Sequence, residues 1–219
     1  MFQGVIFDMD GTLVDSEVIW ERAEQELFAK RNIIYTDDVR QQVIGLRLDE
    51  FFTKLIAIYA LDETVAQLTQ ELDELLSSYV GLIERKPGAR ELIDYVISLG
   101  IPYCIASSSP MNVIQAVVHA QGWNELIINL YSADSVPLGK PAPDVYLYAC
   151  EQMGLDPTKC LALEDSPNGA RAAVAAGMTC VAVPDYHSAP EKFVGITPHI
   201  YPSLVNVLDD LKAGKLDLV

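Results

Sequence analysis

The chain has 219 residues, half of them hydrophobic, and its 31 acidic residues outnumber its 15 Lys and Arg, giving a formal net charge of −16. This hydrophobic content excludes a disordered chain, and this length allows one substantial core with at most a small additional domain. Such an acidic surface repels nucleic acid and anionic lipid, and no apolar run approaches the roughly 18 residues of a membrane span, so we expect a small-molecule partner and neither a nucleic-acid nor a membrane partner.

The first predicted element along the chain is a strand over residues 4–7, an apolar run that stops at Asp8. Residues 16–85 then hold no convincing strand but several amphipathic helical patterns, at residues 16–31, 37–44, 48–59 and 63–83. Beyond residue 85, apolar runs that predict strands alternate with amphipathic stretches that predict helices. The strands fall at residues 103–106, 160–163 and 179–183, and the helices at residues 88–99, 110–121, 143–153, 167–176 and 204–211.

This order of elements predicts an α/β fold. Strands that are apolar on both faces are typical of a parallel sheet, and their alternation with helices is typical of a doubly wound domain. Ser109-Pro110 and Ser166-Pro167 are typical of helix starts, with an N-cap serine and a proline in the first turn. We predict a core built from residues 1–15 and 86–219 and a helical insert, residues 16–85, joined to it by two short hinges. One continuous α/β domain whose helices cluster early in the chain is the alternative.

The cysteines and the start of the chain bear on its cellular setting. None of the four cysteines has C-x-x-C spacing or clusters with a histidine, which predicts neither a disulfide framework nor a zinc site. No signal-like segment with a basic flank precedes the first predicted strand. We therefore expect a cytoplasmic protein. A monomer is the expected state, although no residue pattern determines it.

Carboxylates and a hydroxyl follow three of the predicted strands. Asp8 and Asp10 follow the first strand, Ser107 the second, and Glu164 with Asp165 the third. Because ligands bind beyond the carboxyl ends of parallel strands, we expect these side chains to meet at one edge of the sheet. Carboxylates with no histidine among them favour a hard cation, and Mg²⁺ is the natural choice beside a phosphate. For Asp8 and Asp10 alone, two solvated carboxylates in a turn are the alternative.

Two further segments predict a phosphate site. Ser107, Ser108 and Ser109 lead into a predicted helix, so their hydroxyls and backbone N–H groups can form an anion site at its start. A turn that only caps the helix is the alternative. Lys140 lies before two prolines in Gly-Lys-Pro-Ala-Pro-Asp, a stiff loop that presents its ammonium group. A surface lysine in a proline-rich turn is the alternative.

Together these parts predict phosphoryl transfer. A carboxylate about 4 Å from a phosphate is repelled by about 4 kcal/mol per charge pair at an effective dielectric constant near 20, so attack by Asp8 needs a metal ion and Lys140 to offset the charge. With both present, Asp8 can form an aspartyl phosphate. Asp10 can protonate the leaving alkoxide and later deprotonate the attacking water, a contribution of roughly 10²- to 10⁴-fold.

Four motifs in this order resemble those of the haloacid dehalogenase superfamily, and the resemblance spans essentially the whole chain. The motifs are Asp8-x-Asp10-Gly11-Thr12, Ser107 after its strand, Lys140 in Gly-Lys-Pro-x-Pro-Asp, and Glu164-Asp165-Ser166-x-x-Gly169. The resemblance implies a Rossmann-like core, a doubly wound parallel sheet, with an all-helical cap inserted after the first motif.

The resemblance also implies a role for each motif residue. Asp8 is expected to be the nucleophile, and Asp10 the general acid and base. The residues expected to hold the phosphoryl group are Ser107, Ser108 through its amide, and Lys140. The expected Mg²⁺ ligands are Asp8, Asp10 through its backbone carbonyl, Asp165, and Glu164 either directly or through water.

The residues favour hydrolysis of a phosphate monoester. A halide leaving group would need neither Asp10 nor a metal, which disfavours dehalogenation. The similar beta-phosphoglucomutase uses a histidine in the first cap helix and a lysine after the second motif, where this chain has Trp20 and Pro110. We therefore predict a Mg²⁺-dependent phosphatase of small sugar or polyol phosphates. A phosphosugar mutase, a phosphoglycolate-type phosphatase and a non-catalytic phosphometabolite-binding protein are the alternatives.

Two cap segments resemble those of phosphatases acting on 2-deoxyglucose 6-phosphate and related hexose or hexitol phosphates. They are Asp15-Ser16-Glu17-x-x-Trp20 and Gly45-Leu46-Arg47-x-Asp49. The resemblance implies that Trp20 stacks on the sugar and that Arg47 holds the distal oxygens of the substrate. The alternatives are a Trp20 packed in the core of the cap and an Arg47 engaged in a hinge salt bridge.

Overall fold

The structure, a computed structural model, describes residues 2–43, 46–185 and 188–216. Its strands, in chain order, are β1 (Gly4–Phe7), β2 (Val14–Asp15), β3 (Glu84–Arg85), β4 (Tyr103–Ser107), β5 (Leu130–Ser132), β6 (Cys160–Glu164), β7 (Thr179–Ala182) and β8 (His199–Ile200). Six of them form one parallel sheet in the order β5-β4-β1-β6-β7-β8, and β2 pairs with β3 in an antiparallel ribbon. The winding of the sheet reverses at β1, which lies between β4 and β6.

Helices cover both faces of this sheet. In chain order they are α1 (Glu17–Ala29), α2 (Asp37–Arg40), α3 (Leu48–Tyr59), α4 (Val65–Tyr79), α5 (Ala89–Ser98), α6 (Met111–Ala120), α7 (Asp144–Met153), α8 (Pro167–Ala175) and α9 (Leu204–Lys212). Val5 and Phe7 of β1 face the buried cluster that includes α5, α6 and α9, whereas Ile6 faces the cluster that includes α7 and α8. Successive strand residues point to opposite faces, and both faces are buried, which explains the continuous apolar runs.

The predicted α/β fold is confirmed. The predicted strands coincide within one residue with the four central strands of the sheet, β1, β4, β6 and β7. The prediction omits the edge strands β5 and β8 and the β2–β3 ribbon. The helix predicted over residues 37–44 is shorter, because α2 ends at Arg40. The last residue of that prediction and the Gly45 of the cap motif lie outside the described residues.

One predicted helix start is confirmed and the other is wrong. The Ser166 hydroxyl accepts a hydrogen bond from the Gly169 N–H at 3.0 Å, with Pro167 in the first turn of α8. The Ser109 hydroxyl does not cap α6, which begins after Pro110; it donates to the carboxylate of Asp10 at 2.6 Å instead. A polar side chain that sequence pattern assigns to local structure therefore serves a contact 99 residues away.

The insert enters and leaves the core at one place. β2 pairs with β3 through Val14 with Arg85 and Asp15 with Glu84, which brings the two ends of the helical segment together. Between them, α1 and α3 pack against α4. The division into residues 1–15, 16–85 and 86–219 stays a prediction, and this ribbon lies at its boundaries. Within the described part of the chain, no helix combines the length and apolar character that crossing a membrane requires.

Candidate active site

The predicted polar residues meet at the carboxyl ends of three adjacent strands. β1, β4 and β6 are neighbours in the sheet, so the residues that follow them lie at the same edge. They share a cavity of about 250 Å³. Its core side is lined by Asp8, Asp10, Ser107, Ser108, Ser109, Lys140 and Asp165. Glu164, the remaining core residue of the predicted site, is fully buried and is not among the described residues that line the cavity.

Lys140 is the centre of a buried ion-pair cluster. Its Nζ lies 2.7 Å from Asp8 Oδ1 and 2.8 Å from Glu164 Oε1, and it donates to the Ala106 carbonyl at 3.2 Å. Burial lowers the pKa of Lys140, but the two carboxylates outweigh this and leave its pKa above the ordinary value. The side chain is therefore a permanent positive charge with almost no exposure, in contact with the carboxylate expected to attack.

Asp8 is held at both carboxylate oxygens. Lys140 contacts Oδ1, and the Thr12 hydroxyl donates to Oδ2 at 3.0 Å. Burial raises the pKa of Asp8 to about 7; Lys140 opposes the rise, and Glu164 and Asp10 add to it. Since a carboxylate attacks only when ionised, the nearby ammonium is what keeps this buried group available as a nucleophile near neutral pH.

Four donors converge on the carboxylate of Asp10. They are Ser16 Oγ at 2.5 Å, Ser109 Oγ at 2.6 Å, Ser107 Oγ at 3.1 Å and Trp20 Nε1 at 3.4 Å. Two of these donors come from the start of the insert, and the other two lie at the end of β4 and just beyond it, so Asp10 links the two walls of the cavity. Ser107, expected to face a phosphate, also accepts the Ser109 N–H at 3.0 Å.

The residues at this edge fit a divalent cation. Asp8, Glu164 and Asp165 place one carboxylate oxygen each within 4.8 Å of one another. Burial, followed by the negative charges of Asp8 and Glu164, raises the pKa of Asp165 well above its ordinary value. Several carboxylates crowded together out of solvent favour a hard cation with oxygen ligands. Glycine at position 11 leaves room for this: a Cβ there would lie 2.2 Å from Asp165 Oδ2.

Glu164 is already engaged by protein donors. Lys140 and the Tyr146 hydroxyl, at 2.6 Å, contact Oε1, and the backbone N–H groups of Asp165 and Ser166 contact Oε2 at 3.2 and 3.3 Å. The first turn of α8 passes so closely that a Cβ on Gly169 would lie 1.8 Å from Glu164 Oε1. The glycine of the fourth motif is therefore required by the approach of helix and carboxylate.

The cap side of the cavity differs from the sequence-based expectation. Trp20 lines the cavity, but its indole N–H donates to Asp10. The described lining includes Leu46 and Leu48 but not Arg47. The guanidinium of Arg47 instead pairs with Asp49 at 2.6 Å through both Nε and Nη2, and its Nη1 donates to the Ala133 and Val136 carbonyls at 3.2 and 2.7 Å. These contacts fasten the insert to the core loop after β5.

Three charged residues on this side have no role predicted from the sequence, although one of them, Glu17, lies within a cap motif. Arg40 of α2 donates from Nη2 to Glu17 Oε2 at 2.6 Å and from Nε to Glu24 Oε2 at 3.0 Å. All three side chains line the cavity. Glu17, Trp20 and Glu24 have the i, i+3, i+7 spacing of one helix face, which is the sequence signal that they lie together.

Known proteins resemble this chain in sequence and in fold. The family model described as haloacid dehalogenase-like hydrolase matches residues 2–177. Hexitol phosphatase B of Escherichia coli (strain K12) is 35% identical over 192 residues, covering 85% of this chain and 83% of that protein. The bifunctional riboflavin kinase/FMN phosphatase of Arabidopsis thaliana is 30% identical over 214 residues, 97% of this chain, but the chain spans only 54% of that protein. The crystal structure of CbbY from Rhodobacter sphaeroides in complex with phosphate superposes with a TM-score of 0.86 at 25% identity, covering 94% and 96% of the two chains.

Proposed function

The chain belongs to the haloacid dehalogenase-like hydrolases and is a phosphatase, and from this premise we propose that it hydrolyses small sugar or polyol phosphates with Mg²⁺, through an aspartyl phosphate on Asp8. The observation that carries the proposal is the buried contact of Lys140 with Asp8, with Asp10 two residues further on in the same cavity. The main obstacle to attack on a phosphate by a carboxylate is repulsion between like charges, and a cation beside the carboxylate reduces that repulsion.

The metal site supports the same chemistry. The residues that would hold Mg²⁺ are Asp8, Asp165 and the backbone carbonyl of Asp10. When bound, the ion would supply positive charge against the oxygens of the phosphoryl group. Because both oxygens of Glu164 already accept hydrogen bonds from Lys140, Tyr146 and the backbone, we propose that Glu164 acts on the metal through water.

The reaction then has two displacement steps. In the first, an Asp8 oxygen forms a bond to phosphorus while the bond from phosphorus to the ester oxygen breaks, and Asp10 gives a proton to the departing alkoxide. In the second, Asp10 takes a proton from a water molecule that attacks phosphorus, which releases inorganic phosphate and restores Asp8. Lys140, the Ser107 hydroxyl and the Ser108 amide are proposed to hold the phosphoryl oxygens. The four donors on Asp10 orient its carboxyl group for both proton transfers.

Hydrolysis is favoured over the mutase reaction at two positions. Trp20 stands where a mutase has its cap histidine, and its N–H is directed at Asp10. Pro110, at the position of the mutase lysine, directly precedes α6 and offers no charge. A mutase must retain and reorient a bisphosphate intermediate, and both positions lack the polar groups for that task. A cytoplasmic location and a monomeric state stay predictions.

Asp8→Asn tests the mechanism. The amide cannot form the covalent intermediate, so we expect phosphate release from sorbitol 6-phosphate to fall at least about 10⁴-fold. Asp62→Asn, the same change at an exposed position of the insert, is the control and should retain wild-type rates. Chelation with EDTA should abolish turnover, and added Mg²⁺ should restore it. An Asp8→Asn enzyme with near wild-type rates would exclude the covalent route, and glucose 6-phosphate formed from beta-glucose 1-phosphate without phosphate release would favour the mutase.

A further inference from the structure

In the described part of the chain, the cap end of the cavity presents the carboxylates Glu17 and Glu24 beside the guanidinium of Arg40. Among the described lining residues, the cations are Arg40, Lys140 and Lys192. Lys140 belongs to the phosphate end, and Lys192 is solvent-exposed. Of these described cations, Arg40 is the one that pairs with the two cap carboxylates, Glu17 and Glu24.

Helix α1 connects the two ends of the cavity. Glu17, Trp20 and Glu24 lie on one face of this helix, and all three line the cavity. The Trp20 indole donates to Asp10, so this face begins beside the expected general acid. The distal part of a substrate whose ester oxygen lies near Asp10 would therefore meet the two glutamates.

The guanidinium of Arg40 forms ion pairs with both of these carboxylates. The residue is only 6% exposed and Glu24 only 5%, and the guanidinium reaches one glutamate from Nε and the other from Nη2. A guanidinium paired in this way holds the carboxylates in place and offers little net attraction to a further anion. Carboxylates, in turn, accept several hydrogen bonds each and suit a ligand rich in hydroxyl groups.

We propose that Glu17, Glu24 and Arg40 form a specificity subsite that accepts hydrogen bonds from the hydroxyl groups at the uncharged end of a sugar or polyol monophosphate, and that disfavours a second phosphate or a carboxylate there. The inference rests on the proposed function, because it concerns the other end of the same substrate. This subsite would distinguish the chain from enzymes that need a bisphosphate. It would also disfavour phosphoglycolate, because the carboxylate of that compound would face the same two glutamates.

The wild-type enzyme tests the subsite directly. Phosphate release would be measured with Mg²⁺ for sorbitol 6-phosphate, a hexitol 1,6-bisphosphate, phosphoglycolate and p-nitrophenyl phosphate. We expect kcat/KM for sorbitol 6-phosphate to exceed that for the bisphosphate and for phosphoglycolate at least about tenfold. Equal or better turnover of the bisphosphate would overturn the subsite alone. No turnover of any of the four esters, p-nitrophenyl phosphate included, would instead overturn the proposed function.

Glu17→Gln tests the carboxylate itself. Its side chain is 18% exposed, and Glu21→Gln, the same change one turn along α1 at a residue outside the described lining, is the matched control. We expect Glu17→Gln to lower the ratio of kcat/KM for sorbitol 6-phosphate over p-nitrophenyl phosphate about tenfold, the value of one hydrogen bond to a charged group, and to narrow the discrimination against the bisphosphate. Glu21→Gln should leave both ratios within about twofold of wild type.

A ratio of two substrates does not depend on the folded fraction, so partial unfolding of the variant leaves the test valid. Glu24→Gln gives a second, independent measurement of the same ratio. If both variants give the wild-type ratios, the subsite is refuted, whatever the absolute rates.

Discussion

Lys140 and Arg40 lie on the core side and the cap side of one cavity, and each is a buried cation that contacts two carboxylates within 3.0 Å. The lysine holds Asp8, the expected nucleophile, whereas the arginine holds two residues of the cap wall. Each cation contacts more than one carboxylate. The two clusters differ in the ligand that their carboxylates are expected to contact.

On the core side, the cluster is incomplete by one cation. Asp8, Glu164 and Asp165 lie close together with Lys140, and burial, followed by the negative charges of Asp8 and Glu164, raises the pKa of Asp165. A divalent ion would offset those negative charges. On the cap side, the planar guanidinium of Arg40 donates to both carboxylates. Carboxylates paired with a buried cation are thus expected to serve a metal and a phosphate on one wall and neutral hydroxyl groups on the other.

Removing the core cation should have the largest effect. Lys140→Met keeps the aliphatic stem and deletes the charge that offsets the phosphoryl oxygens, so we expect kcat/KM for sorbitol 6-phosphate to fall about 10³-fold. Lys159→Met, at an exposed lysine that pairs loosely with Asp156 at 3.6 Å, is the control and should keep wild-type kinetics. A Lys140→Met enzyme that retains a tenth of wild-type kcat/KM would show that the ammonium is not part of the chemistry.

Removing the cap cation should mainly lower the stability of the folded protein. Arg40→Met leaves Glu17 and Glu24 without their counter-charge in a buried setting, and we expect the free energy of unfolding to fall by about 3–5 kcal/mol in urea titrations. Arg90→Met, which breaks the exposed pair with Asp94, should change it by no more than about 0.5 kcal/mol. A loss below about 1 kcal/mol for Arg40→Met would mean that packing, and not charge, holds the cap wall.

The two clusters also differ in how well the sequence predicts them. Asp8, Lys140 and Asp165 stand directly after buried strands or beside prolines, so their place at the sheet edge follows from local pattern and strand order. Arg40 lies in a four-residue helix, and its partners are 16 and 23 residues away on α1. Only the packing of α2 against α1 brings them together, and no local signal encodes that contact.

Arg47 presents the opposite case, a residue that a local motif singles out. Its motif predicts a substrate contact with a hinge salt bridge as the alternative, and three of its nitrogens donate to Asp49 and to backbone carbonyls after β5, a strand of only three residues. The central strands were predictable because burial on both faces leaves only apolar residues. The edge strand β5 is only three residues long, which is too short for a periodic pattern to be recognised in the sequence.

The smallest expected effect is a pH dependence of the free energy of unfolding that comes from Glu24 in the cap cluster. Burial raises the pKa of Glu24 from 4.5 to about 7, although Arg40 opposes the rise; Glu17 adds to it and Tyr35 lowers it. A raised folded-state pKa gives a stabilising contribution that is complete below the unfolded value of 4.5 and is lost as the pH rises through about 7.

Glu24→Gln cannot titrate, so it isolates this contribution from those of Asp8 and Asp165, which titrate in both proteins. We expect the free energy of unfolding of the wild type, minus that of Glu24→Gln, to fall by about 2–3 kcal/mol between pH 5 and pH 8. Urea titrations at both pH values measure it, and Glu21→Gln should show no such change. A difference that is constant with pH would mean that Arg40 keeps Glu24 ionised throughout, so that the cap wall presents a full negative charge even in mild acid.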